Sequence, residues 1–223
     1  GVVSSYPYSM AGVSRHADVQ HLVPRTSPEA YVAGVNDVVT RFGYDHVIPV
    51  GGWTTNVFSE HRESLETPIG ALLPSATSMR LVQDKRELVR LASSLGVPTP
   101  ETVRVDLEAP VDSALDLTFP LVLKARREAA SRYVRRIATP TDLRDAVRAY
   151  RRHHDGDLIA QERLTGEGCG FFALYLDGER VGSYSHRRVR EYPPAGGVSA
   201  CAESHRDEEL AEYGTRVLRA LAW

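Results

Sequence analysis

The stretch FPLVLK, residues 119–124, decides how this chain folds. Every residue in it before the last is apolar, which predicts a buried β-strand, and the strand ends on Lys124, where Val or Ile would be expected. Small residues with arginines on both sides follow at 126–132. Backbone N–H groups and cationic side chains in such a loop suit phosphate oxygens, so the stretch predicts a phosphate site. The alternative that these residues leave open is a polar hairpin without a ligand.

Further strands and helices are predicted on both sides of this stretch. Apolar or alternating runs predict strands at residues 102–105, 133–137, 157–164, 171–176 and 181–189. A helix after the second of these runs begins at Thr139, with Pro140 and Asp142 as capping signals. A last helix is predicted to begin at Ser204, with Asp207 in its capping box. This part of the chain is therefore predicted to be α+β.

The first part of the chain has a different pattern. An opening strand at residues 1–5 is followed by a helix with Ser27 as its N-cap and Gly43 at its end, and then by an apolar run at 45–50. Strand, helix and strand predict a Rossmann-like unit with a parallel sheet built from these two strands.

A domain boundary is expected near Ala76, where a helical pattern begins that stops at Gly96. The predicted domains are residues 1–75 and 76–223. Both ends are expected to be truncated, because the sequence opens inside a strand and its last helix has no stop signal.

Composition excludes several function classes. The formal net charge of -2 gives no electrostatic basis for nucleic-acid binding. No apolar run approaches the roughly 20 residues that a membrane span needs, and no secretory leader opens the sequence, so a cytoplasmic location is expected. Cys169 and Cys201 are too few for a disulfide framework and have no metal-binding spacing, which predicts core or loop thiols and no metal site.

Four motifs in order carry a resemblance to a known family. They are Asp84-Lys85 opening a helix, LGVPTP at 95–100 closing it, the stretch at 119–124, and Gln161-Glu162 at a strand end. In this order the chain resembles the ATP-grasp superfamily, especially its carbamoyl-phosphate-synthase-like and biotin-carboxylase-like branch. The resemblance implies an α/β fold, in which a Rossmann-like pre-ATP-grasp segment precedes α+β grasp subdomains with an incomplete C-terminal lobe. It also implies ATP-dependent activation of a carboxylate, followed by attack of an amine or another nucleophile.

The resemblance assigns the nucleotide to particular residues. Lys85 and Lys124 would hold its phosphates. The hinge between the two grasping subdomains would be formed by Gln161, Glu162, Arg163 and Leu164. Within it, Glu162 would accept a hydrogen bond from the adenine amino group, and Glu167 is a candidate for the ribose hydroxyls. The loop at 126–132 departs from the family pattern, which places several glycines there.

Three arginines are candidates for the reacting groups. Arg187, Arg188 and Arg190 precede a glycine-containing segment that the resemblance places near the acyl phosphate, where guanidinium groups stabilise a phosphoryl group or clamp a carboxylate. The alternative is a solvated strand edge. The family holds Mg²⁺ with an acidic residue and a Glu-x-Asn type motif, both expected downstream of Trp223. Without those ligands the fragment is expected to be inactive by itself.

The sequence also leaves open two alternatives to an ATP-grasp ligase. One is a non-catalytic nucleotide-binding or scaffold domain. The other is a Rossmann-type dehydrogenase, which is disfavoured because Gly51-Gly52-Trp53 lacks the GxGxxG spacing. The expected partners are a small-molecule carboxylate and a nucleophile, while the sequence leaves the oligomeric state open.

Overall fold

The structure, a computed structural model, describes residues 1–66, 73–105, 116–127, 133–192 and 197–223. The chain divides into two compact units, Gly1–Met79 and Arg80–Trp223, and each is described by itself.

The first unit holds two short strands and the helices that pack beside them. Its elements are β1 (Val2–Ser4), β2 (Gln20–Leu22), α1 (Pro28–Phe42), α2 (Gly52–Glu60), a 3-10 turn (Arg62–Ser64) and the start of α3 (Ala76–Gln83). The predicted ends of α1 are confirmed, because the Ser27 side chain accepts a hydrogen bond from the Ala30 N–H and Gly43 adopts a left-handed φ of 66°. Val35 on α1 and Phe58 on α2 are the most completely buried members of this unit's core.

The predicted strand at 45–50 is wrong. The parallel partner of β1 is β2, with Val2 opposite Gln20, and residues 45–50 have no strand structure. An apolar run becomes a strand only when a neighbouring edge supplies hydrogen-bond partners, and Val50 is instead 94% exposed. This unit does contain a parallel sheet, but its second strand is Gln20–Leu22, a segment that the sequence pattern did not reveal.

The second unit contains an antiparallel sheet covered on one face by a helix. Its first elements are α4 (Lys85–Ser94), β3 (Thr102–Val105), β4 (Leu121–Ala125), β5 (Val134–Ile137), α5 (Pro140–Arg151) and β6 (Leu158–Glu162). The strand order is β3-β6-β4-β5, and every neighbouring pair is antiparallel. The sheet and its covering helix confirm the α+β character predicted for this part of the chain. The capping box of α5 is also confirmed, since Thr139 and Asp142 bond each other's backbone N–H groups.

A second antiparallel sheet follows in the same unit, formed by β7 (Cys169–Leu176), β8 (Glu179–Tyr192) and β9 (Val198–Ser204). The turn between β7 and β8 has positive φ angles at Asp177 and Gly178. The helix α6 (Glu208–Ala220) comes last, and its N-cap is Asp207. The predicted cap at Ser204 is wrong because that residue belongs to β9, a strand that the sequence analysis missed.

Two smaller findings complete the fold. Cys169 and Cys201 lie exposed on β7 and β9, so the expectation of core or loop thiols is wrong. Within the described ranges, no helix combines the length and the apolar character that crossing a bilayer requires.

Candidate functional site

The candidate site begins with Lys124 on β4. Leu121 and Leu123 belong to the core that α5 covers, so the alternation of the strand places Lys124 on the opposite face of the sheet. Its ammonium group donates to Oε1 of Gln161 on β6 at 2.7 Å. The Gln161 amide in turn donates to Oγ1 of Thr102 on β3 at 2.9 Å. Three neighbouring strands thus hold the lysine by a chain of side-chain hydrogen bonds.

Lys85 reaches the same strand from the first turn of α4. Its backbone N–H donates to the carbonyl of Arg126 at 3.1 Å, and its ammonium group donates to the carbonyl of Ala125 at 2.9 Å. The start of α4 is therefore fixed to the end of β4, directly beside Lys124 in sequence.

The two ammonium groups influence each other, and we call Lys85 and Lys124 the lysine pair. Burial lowers the pKa of Lys124 below its ordinary value of 10.5, and the positive charge of Lys85 lowers it further. Like charges held this close repel each other, and a bound anion would remove that repulsion. The arrangement therefore suits the phosphates of a nucleotide.

Composition strengthens this reading of the lysine pair. The chain contains 27 Lys and Arg residues, and only Lys85 and Lys124 among them are lysines. Arginine serves at every other cationic position of the sequence. The structure thus brings together both lysines of the chain, from positions on a helix and a strand.

A buried carboxylate organises the charges next to the lysine pair. Asp84 is the N-cap of α4 and accepts hydrogen bonds from the N–H groups of Arg86 and Glu87. Its side chain, 2% exposed as a residue, also accepts from Arg126 Nε at 2.8 Å and from Arg127 at 3.1 Å. Burial alone would raise the pKa of Asp84, but the hydrogen bonds from Arg126, the Glu87 N–H and Arg127 outweigh it and hold the pKa at about 2.

The same network continues to the start of β6. Arg126 also donates to Asp157 at 2.9 Å, and Arg104 on β3 donates to the other oxygen of Asp157 at 3.1 Å. Burial would raise the pKa of Asp157, but hydrogen bonds from both arginines lower it below its ordinary value. We call these five residues the Asp84 network: Asp84, Arg104, Arg126, Arg127 and Asp157.

The predicted hinge residues follow one another at the end of β6. Gln161 is buried, and its side chain is engaged with Lys124 and Thr102. Glu162 exchanges backbone and side-chain hydrogen bonds with Glu101, at 2.9 Å and 3.3 Å. Arg163 and Leu164 lie exposed beyond the strand. The structure thus places Lys85, Lys124 and the residues predicted for the hinge at one sheet.

The remaining predicted residues form a separate group on β8 and beside it. Arg187 donates to Glu203 at 2.9 Å and to Glu167 at 3.4 Å, and these acidic partners raise its pKa. Arg188 pairs with Glu191 at 3.0 Å. Glu167, predicted for ribose hydroxyls, therefore lies with the arginine group.

Arg190 is exposed on β8 opposite Cys201. Residues 128–132 of the predicted phosphate loop and 193–196 of the glycine-containing segment lie outside the described residues.

Sequence reasoning placed Asp84 in a motif and Arg126 in the predicted phosphate loop, but it missed the hydrogen bonds that join Asp84 to Arg126 and Arg127. Asp84 was recognisable as an N-cap, but its arginine partners lie 42 and 43 residues away in the chain. Among the residues that the structure describes, no group of three or more His, Cys, Asp or Glu suits a metal ion, so no role is assigned to Mg²⁺ here.

These elements have the fold of the ATP-grasp enzymes, and the resemblance predicted from the sequence is confirmed. The L-amino acid ligase from Bacillus licheniformis is similar with a TM-score of 0.67 at 17% identity, covering 96% of this chain and 52% of that one. The biotin carboxylase from Campylobacter jejuni, solved as a beta-gamma-ATP complex, gives a TM-score of 0.70 at 19% identity, with coverages of 93% and 50%. At these identities the likeness establishes the fold alone.

A curated relative extends the comparison to sequence. The D-alanine–D-alanine ligase of Hydrogenovibrio crunogenus is 32% identical over 106 residues, which cover 47% of this chain and 33% of the ligase. No protein-family model matches the sequence. The chain spans about half the length of the two solved enzymes and matches about a third of the curated relative.

Proposed function

We propose that this chain is the nucleotide-binding part of an ATP-grasp ligase that activates a carboxylate. The observation that carries the proposal is the lysine pair: both lysines of an arginine-rich chain lie together, and one of them has a depressed pKa. Such a pair costs energy in the absence of an anion and becomes favourable when a polyphosphate binds. Relatives named as ligases of D-alanine and of L-amino acids support a carboxylate and an amine as the substrate class.

Each group of residues has a part in this proposal. ATP would supply the phosphoryl group that activates the carboxylate. Lys85 and Lys124 would neutralise its phosphates, and residues 161–164 would contact its adenine. Arg187, Arg188 and Arg190 would meet the phosphoryl group or the substrate carboxylate. The partners of Arg187 and Arg188 are partly exposed acids, and such pairs contribute little stability, so these guanidinium groups can change partner.

The proposal also covers the wider setting of the chain. Residues 1–75 would be the pre-ATP-grasp segment and 76–223 the nucleotide-binding region. The cytoplasm, which supplies ATP, would be the location. Mg²⁺ use is typical of the family, but the described residues of this chain form no site for it, and no step above depends on it.

A titration with ATP in the presence of a chelator tests the proposal. ATP should raise the melting temperature of the wild-type chain, because a ligand that binds only the folded state stabilises it. Lys124→Ala should abolish the response. Its unliganded stability should change by no more than about 1 kcal/mol, since the lost hydrogen bond to Gln161 is offset by relief of burial and of repulsion from Lys85.

Arg148→Ala is the matched control, because it removes an exposed cation from α5, where Arg148 pairs with Asp145. This variant should respond to ATP as the wild type does. An ATP response that survives in Lys124→Ala, or that disappears equally in Arg148→Ala, would contradict the phosphate role of the lysine pair.

A further inference from the structure

Asp84 joins the first turn of α4 to the end of β4. Its carboxylate accepts from two backbone N–H groups of the helix and also from the side chains of Arg126 and Arg127, which follow β4 directly. With its oxygens committed to these donors, the carboxylate is almost fully removed from solvent. Capping a helix requires only hydrogen bonds from the helix N–H groups. The bonds from the two guanidinium groups therefore indicate that Asp84 has a role besides capping α4.

Arg126 completes this connection through both its backbone and its side chain. The Arg126 carbonyl accepts from the Lys85 N–H at 3.1 Å, while its N–H donates to the carbonyl of Asp157 at 2.9 Å. Its guanidinium group lies between the carboxylates of Asp84 and Asp157, at 2.7 Å and 2.9 Å. The residue thus fixes α4, β4 and the start of β6 at one point.

Lys85 lies at the centre of these contacts. The residue before it supplies the carboxylate, the Arg126 carbonyl holds its backbone, and the Ala125 carbonyl orients its ammonium group. A misplacement of about 1 Å is enough to cost much of the benefit of a catalytic or binding group. Precision in the placement of Lys85 therefore depends on the tie between Asp84 and Arg126.

We propose that Asp84 is a positioning residue that acts through Arg126 to hold Lys85 where it meets the nucleotide phosphates. This inference rests on the proposed function, because it assumes that Lys85 binds phosphate. Asp84 itself has no contact with the nucleotide in this proposal. Its effect is confined to the phosphate end of the ligand.

The test compares ATP with adenosine in the full chain, by direct measurement of dissociation constants in a chelator. Asp84→Asn should weaken ATP binding about tenfold, the usual size of one charge-assisted contact, and leave adenosine binding unchanged. Lys85→Ala should weaken ATP binding by a similar factor. The double variant should be no weaker than Lys85→Ala alone, because once the lysine side chain is removed there is nothing left for Asp84 to position.

Arg126→Gln guards against a variant that merely fails to fold. It leaves Asp84 free to cap α4 through the Arg86 and Glu87 N–H groups, yet removes the guanidinium group that joins Asp84 to Asp157. It should show the same non-additivity with Lys85→Ala. Asp145→Asn is the control for the chemical change, since it removes an exposed carboxylate that pairs with Arg148 on α5. It should bind ATP normally.

NMR spectroscopy can also report the environment of the Lys85 side chain directly. With ¹³Cε-labelled lysine the chain gives only two lysine side-chain signals, which Lys85→Arg assigns. The Lys85 signal should shift in Asp84→Asn and stay unchanged in Asp145→Asn. Additive losses in the double variant, or an ATP affinity unaffected by Asp84→Asn while Lys85→Ala loses tenfold, overturn the inference and leave the proposed function intact. A wild-type chain that does not bind ATP overturns both.

Discussion

Lysine and arginine differ in ways that matter at positions 85 and 124. A lysine ammonium is a compact charge whose pKa moves on burial, whereas a guanidinium group remains charged in any protein environment. The sequence alone predicted Lys124, because a cation at the end of an apolar strand is unusual, and the resemblance supplied Lys85. Neither the sequence nor the resemblance could predict the partners of Asp84, since these partners depend on how β4 and α4 meet in three dimensions.

The depressed pKa of Lys124 makes nucleotide binding depend on pH at the alkaline end. ATP affinity should fall as the pH rises through this pKa, which lies below 10.5, because a neutral lysine no longer attracts phosphate. Binding of ATP should raise the pKa and take up protons in that range, which calorimetry in buffers of different ionisation enthalpy detects. In Lys124→Arg, where the charge persists, the alkaline loss due to residue 124 should vanish; an identical profile in that variant would assign the titration to another group.

The stability of the unliganded chain should depend on pH in the opposite direction to ATP affinity. Because the pKa of Lys124 is lower in the folded chain than in the unfolded chain, its protonation disfavours folding. This penalty is fully present below the folded pKa and disappears as the pH rises toward 10.5. Nucleotide affinity and unliganded stability should therefore move in opposite directions over the same pH range.

Strands and helices were predictable where their own residues supply the signal. The caps of α1 and α5 are local, so Ser27 and Thr139 were found from sequence. β9 was missed because its residues are exposed along its whole length and show no apolar alternation. Its strand structure comes from pairing with β8, a tertiary effect. The same reasoning explains the wrong strand at 45–50, which has the apolar residues but no paired edge.

The packing of α6 on β7 provides a prediction about one glycine. A Cβ at Gly214 would lie 2.3 Å from Cδ1 of the Phe171 ring, with two further ring atoms within 3.0 Å. Overpacking of this kind costs about 1–3 kcal/mol, and the helix propensity gained from alanine returns only about 1 kcal/mol. Gly214→Ala should therefore lower the free energy of unfolding by about 1 kcal/mol in a urea titration.

Gly182→Ala is the comparison on the same sheet. Gly182 lies on β8 with open space around its Cβ position, so alanine there should be neutral or slightly stabilising. Equal destabilisation by both variants would show that the close approach of α6 to Phe171 does not determine the result.

At the scale of the whole molecule, the residues assigned to ATP all belong to the unit Arg80–Trp223. The fold class was predictable because the order of four motifs survives even where individual elements were missed. The association of Glu167 with Arg187 was not predictable, because it depends on the start of β7 and on the pairing of β8 with β9. Sequence order alone does not provide that register.

Amide hydrogen exchange tests whether ATP stabilises only the second unit against unfolding. With ATP at about a hundred times its dissociation constant, amides that exchange only by unfolding of the second unit should slow about a hundredfold. Leu123 and Ala160, in the core of that unit, should report this effect. Val35 and Val39, in the core of the first unit, should exchange at an unchanged rate if the two units unfold independently. Lys124→Ala should remove the protection in the second unit, and slowing of equal size in both cores would show instead that the units unfold together.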